Sequence, residues 1–94
     1  MPNHLKPLTP EASARHRFGA EVRRHRLAAG MTMLRLAWHA RLHRTIVSRI
    51  ECATRYPSEA FATLCDELFK TGDHFARLYA ALQAERPPDG RRRQ

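Results

Sequence analysis

A chain of 94 residues with a 43% hydrophobic share can build one small core, not a cofactor domain beside a substrate domain. No apolar run approaches the roughly 20 residues of a membrane span, and Met1-Pro2-Asn3-His4 opens no signal-peptide core. Two cysteines, Cys52 and Cys65, are too few for a disulfide scaffold, and 17 Lys+Arg against 9 Asp+Glu give +8, which favours a polyanionic partner, nucleic acid ahead of a membrane surface.

Residues 1–12 carry Pro2, Pro7 and Pro10 and read as an extended, mobile arm. No Pro or Gly interrupts 13–29, apart from Gly19, and Phe18, Val22, Arg26 and Ala29 recur at helical spacing, which predicts a first helix ended by Gly30. Thr32 caps a second helix over 33–40, with Leu36, Ala37 and Ala40 inward. A short turn follows, with Leu42 as an apolar position. The third helix covers about 44–52, with Val47 and Ile50 inward and Arg44, Thr45, Ser48 and Arg49 outward. Tyr56-Pro57 breaks it. Ser58 caps a fourth helix running to Lys70, with Phe61, Leu64, Cys65, Leu68 and Phe69 as its stripe and Asp66 and Glu67 on a solvated side. Gly72 stops it. Asp73 caps a fifth helix over about 74–86, and Pro87-Pro88 ends it before a basic, disordered tail over 87–94. The expectation is a compact all-α domain of five short helices spanning 13–86.

Charge divides along this order. Residues 1–57 carry eleven basic and three acidic side chains, whereas 58–86 carry three and five. A polyanion should therefore meet the first half, and the second half is scaffold or protein interface.

Two helices joined by a turn of three to four residues suit DNA recognition when the second displays Arg44, Thr45, Ser48 and Arg49. Arginine pairs bidentately with guanine O6 and N7, and threonine can touch a thymine methyl. An ordinary helical hairpin with a solvated polar face fits the same spacing. The enzyme class is not favoured: there is no Gly-rich phosphate loop, nucleophile elbow or facing carboxylate pair. His39 and His43 flank the turn and Cys52 lies one turn beyond the third helix, but without a CxxC or a single-helix HxxxH. No metal site and no cofactor are expected.

Residues 18–86 resemble the Xre family of bacterial transcriptional regulators, with a Cro/cI-type (lambda-repressor-like) helix-turn-helix, and look most like its actinobacterial branch. The resemblance rests on Phe18-Gly19-Ala20-Glu21-Val22-Arg23-Arg24, Gly30-Met31-Thr32, Leu36-Ala37, Val47-Ser48-Arg49-Ile50-Glu51, Arg55-Tyr56-Pro57-Ser58, and Phe61-Ala62 with Leu64-Cys65-Asp66. It implies that the third helix reads bases through Arg44, Thr45 and Arg49. Phosphate contacts would come from Thr32, Met33, Thr54 and Arg55, with Arg41, His43 and Ser48 adding to them. It also implies an internal ion pair between Arg26 and Glu51. The family usually has Gln where this chain has Met33, Gly where it has Arg41 and Ala53, Ser or Thr where it has His43, and a core Leu where it has His25. A histidine at position 43 would make binding pH-sensitive.

The resemblance implies a promoter-binding regulator of the bacterial cytoplasm, read as a repressor. Such domains often dimerise through the last helix, here through Phe75, Leu78, Tyr79 and Leu82, with half-sites about 34 Å apart. The other placement for these four is burial against helix four. A second class is a protein-binding module, an antitoxin or adaptor to a small or acidic protein. It is motivated by the departures and by Leu27, Met31, Leu34 and Trp38, apolar residues at positions that would form an exposed patch. The alternative is that Trp38 folds over the arm or the end of helix one.

Overall fold

The computed structural model describes residues 13–86; the arm and tail expectations lie outside them. Five helices and no strand occur among the described residues: α1 Ala14–Ala28, α2 Met33–Ala40, α3 Arg44–Glu51, α4 Glu59–Phe69 and α5 His74–Glu85. α1 lies at the centre, packed on α3, α4 and α5, while α2 packs on α3.

The helix starts follow from side-chain caps. Ser13, Thr32 and Ser58 each accept a hydrogen bond from the backbone N–H three residues on, which satisfies one of the donors left orphaned in a first turn. His43 does the same for α3, its Nδ1 accepting from the Thr45 N–H at 3.2 Å. Asp73 makes no such bond for α5. Its place is taken by Asp66, which reaches across from α4 and accepts from the Phe75 and Ala76 N–H groups at 2.8 and 3.0 Å. The Thr71 hydroxyl donates to the same carboxylate. Asp66 is therefore not solvated as its sequence position suggested; it is buried, and a helix N-terminus stabilises its negative charge. Burial pushes its pKa up, but the bonds from Thr71, Phe75 and Ala76 outweigh this and hold it below the ordinary carboxylate range.

The first four helices end in left-handed turns, and only one uses glycine there. Gly30, Arg41, Ala53 and Lys70 have φ of 72°, 59°, 63° and 57°. In each case the N–H of the following residue donates to the carbonyl five positions back, as in Met31 to Arg26 and Leu42 to Ala37. α4 is thus stopped by Lys70, two residues before Gly72, which was the expected stop. Arg41 and Lys70 are exposed, so an L side chain in this conformation costs energy without a packing return.

The core is built from Phe18, Val22, Leu36, Val47, Ile50, Phe61, Cys65, Phe75 and Leu82, all buried. Phe18 sits edge-on to Phe75, ring centroids 5.6 Å apart, and also faces Phe61 at 6.3 Å. Burial, with the charges of Asp66 and Glu51 adding to it, pushes the Cys65 thiol up to about 12, so it behaves as a hydrophobe. Ala29 lies beyond α1 and is exposed, and Leu42 is also exposed at 37%, so neither is core. Phe75 and Leu82 have no exposed surface, which removes both from the candidate dimer face; Leu78 and Tyr79 remain half-buried.

α1 approaches α3 closely because Gly19 has no side chain. A Cβ there would lie 2.4 Å from the Ile50 carbonyl oxygen and 2.5 Å from that of Glu51. The contact places the buried Glu51 carboxylate against Arg26, with Nε–Oε2 at 2.6 Å and Nη2–Oε1 at 3.1 Å. Arg23 Nε adds a third, longer contact at 3.4 Å. Arg26 Nη1 also donates to the Met31 carbonyl at 2.8 Å, tying the α1–α2 connection to the same network. Near the chain ends, the Ala14 N–H donates to Glu85 Oε1 at 2.7 Å. Arg15 and Arg86 flank the Tyr56 ring, at 4.6 and 4.5 Å from its centroid.

Replacing Glu51 with Ala would leave two buried guanidinium groups facing a void. A loss of about 3–5 kcal/mol in urea unfolding is expected. Replacing Arg41 or Lys70 with Gly should instead stabilise the chain by about 1 kcal/mol each, a rise in Tm of roughly 4–8 °C in a domain of this size.

Candidate nucleic-acid interface

α2 and α3 are eight residues each, joined by Arg41, Leu42 and His43. Leu36 and Ala37 of α2 and Val47 and Ile50 of α3 are buried, which fixes one side of each helix in the core. The opposite side of α3 is exposed at Arg44, Thr45 and Arg49, and Ser48 is half-buried. Arg41, His43, Thr54 and Arg55 are exposed around it. These eight polar residues thus lie on one continuous stretch of chain, 41–55, in which Val47 and Ile50 point inward and Leu42 stays exposed.

The electrostatics of this stretch are one-sided. Between Glu21 and Glu59 the only carboxylate is Glu51, and it is buried against Arg23 and Arg26. Arg41, Arg44, Arg49 and Arg55 make no ion pair among the described residues. Their charge is therefore neutralised only by solvent ions, which a polyanion would displace.

Local bonds set several of the side chains. The His43 Nδ1 that caps α3 also lies 2.8 Å from the Thr45 hydroxyl, so the cap restrains a residue at the outer face of α3. The Thr54 hydroxyl donates to the Arg49 carbonyl at 3.3 Å, closing the end of the same helix. Thr32 is occupied as the α2 cap through the Arg35 N–H at 3.0 Å, although it is exposed. Met33 is different: its side chain packs against the core, so only its backbone N–H, in the first turn of α2, can reach a phosphate.

The apolar residues of the α1–α2 region are placed unevenly. Leu27, Leu34 and Trp38 are exposed at 58%, 65% and 68%, and Met31 is half-buried. Trp38 does not fold over the end of α1. Its ring stacks edge-on with His39 at 5.1 Å, and the Arg35 guanidinium lies 5.4 Å from its centroid. A shallow groove continues from Trp38 past Arg41 and Leu42.

Two arrangements had no local signal in the sequence. Arg23 joins the Glu51 network, because α1 presents positions 23 and 26 on one side one turn apart. On another side of α1, Glu21 and His25 converge with His74 of α5. Glu21 and His25 have the i,i+4 spacing of one helix face, but His74 is brought there only by the packing of α5. His25 packs against Phe69 and Phe75 while its Nδ1 donates to the Glu21 carbonyl at 3.0 Å. No protein-family model, curated protein or solved structure matches this chain.

Proposed function

We propose that the chain is a sequence-specific DNA-binding transcriptional regulator, a repressor of Cro/cI helix-turn-helix type, that sets α3 in the major groove. The observation that carries this reading is the exposed, uncompensated arginine set on α3 and its flanks, held by a helix whose other side is core. Arg44, Thr45 and Arg49 read base edges. Arg41, His43, Ser48, Thr54 and Arg55, with the first-turn amides at Met33 and the Thr32 cap, contact the backbone. Arg26 and Glu51 do not touch DNA; they hold α3 to α1. A homodimer in the bacterial cytoplasm, meeting through Leu78 and Tyr79, would read two half-sites.

A second reading is a protein-binding module. It is favoured by one observation, the exposed Leu34 and Trp38 one turn apart on α2. The two readings coexist if the patch stays free when DNA is bound.

Fluorescence anisotropy with DNA from the gene's own upstream region should show a preference of about a hundredfold or more over scrambled DNA at physiological salt. Equal affinities that vanish together with salt would reduce the interaction to charge alone. Arg49→Ala should cost about 1–3 kcal/mol and relax specificity, whereas Arg55→Ala should weaken all sequences alike and lower the salt slope by about one. Trp38 emission should be readily quenched by acrylamide in the free chain and remain so in the DNA complex. Protection of Trp38 by DNA would place the patch inside the nucleic-acid interface and remove the second reading.

A further inference from the structure

Glu21, His25 and His74 each bring one ligand atom to within 4.8 Å of the others. Glu21 Oε1 lies 2.9 Å from His74 Nε2 and 3.8 Å from His25 Nδ1, and the two imidazole rings are 5.4 Å apart. All three are partly buried, with side-chain exposures of 23%, 18% and 36%, so the cluster is framed by protein on one side and open to solvent on the other. We propose that these three side chains form a binding site for a divalent transition-metal ion, zinc by preference, that clips the first turn of α5 to α1.

The chemistry of the donors supports this assignment. Two imidazoles and one carboxylate make a nitrogen-rich set that suits zinc and its neighbours in the first transition row, not magnesium or calcium. The fourth position is left to water. His25 is already oriented. Its ring is wedged between Phe69 and Phe75, and its Nδ1–H donates to the Glu21 carbonyl at 3.0 Å. The nitrogen that faces Glu21 Oε1 is this same Nδ1, so an ion bound there replaces the bond to the Glu21 carbonyl. Arg24 is the competitor, donating to both Glu21 oxygens at 2.7 and 3.2 Å. It is 63% exposed and can swing into solvent when the ion arrives.

The site lies on α1 and α5, apart from α2 and α3, so the proposal does not depend on the DNA reading. Its effect would be on the fold. α5 is capped from α4 by Asp66, and the metal would add a second tie from α1 at the same end. Ion occupancy would raise the unfolding temperature by mass action.

The test is calorimetric titration of chelator-treated full-length chain, free of any histidine tag, with zinc chloride alone, alongside thermal unfolding. The expected result is one ion per chain, a higher Tm with zinc, and affinity reduced about tenfold or more in His74→Ala. His39→Ala should bind like the unchanged chain. Absent binding, or binding undiminished in His74→Ala, would overturn the site and assign any zinc to scattered surface histidines. Should His74→Ala not fold, cobalt(II) absorption of the unchanged chain decides. Visible bands of low-symmetry nitrogen–oxygen ligation, saturating at one equivalent, support the site, and a spectrum of aqueous cobalt overturns it.

Discussion

The fold turns on a carboxylate taken out of water. Glu51 is the last residue of α3, and its charge is offset by Arg26 through two short bonds and by Arg23 through a longer one. A buried ion of this kind is not a cheap source of stability, since removing a charge from water costs much of what its partner returns. What it supplies is position. Apolar packing alone would let α3 slide or rotate by a fraction of a turn on α1. Two guanidinium groups one turn apart on α1, both aimed at one carboxylate, admit one register. Gly19 lets the backbones come close enough for the bonds to form, and the Arg26 bond to Met31 extends the same constraint to the entrance of α2. The direction in which Arg44 and Arg49 project is therefore decided by residues that a ligand on α3 never touches.

The same economy appears at the other end of the molecule. Asp66 caps a helix that follows it in the chain, so the α4–α5 corner and the start of α5 rise or fall together. With Phe75 and Leu82 consumed by the core, α5 is chiefly a buttress for α1, and α1 in turn carries α3. The acidic half of the chain thus supports the basic half mechanically.

Much of this was legible in the sequence, because helix boundaries are written in short-range chemistry. Thr32 and Ser58 hold the caps their side chains suggest, and Phe18, Val22, Val47 and Ile50 fall inward as their 3.6-residue spacing requires. The side of α3 that carries Arg44, Thr45 and Arg49 follows from the same periodicity. Most of the misses come from packing between residues well apart in the chain. Asp66 looked solvated because its partners, the Phe75 and Ala76 amides, are nine and ten residues away. Lys70, not Gly72, ends α4, because the backbone bond from Thr71 to Asp66 matters more there than the residue's own preference. The Glu21–His25–His74 convergence spans 53 residues, and no spacing rule reaches that far. Burial of Phe75 and Leu82 against a neighbour in the same chain, not a second copy, was likewise a question of packing, which periodicity leaves open.

The clasp at Tyr56 has a topological consequence. Arg15 from the start of α1 and Arg86 from just beyond α5 both lie against one ring, and Ala14 bonds Glu85. The first and last described helices therefore begin and finish at a common point. Joining residues 13 and 86 by a short linker and cutting elsewhere would give a permuted chain with the same neighbours.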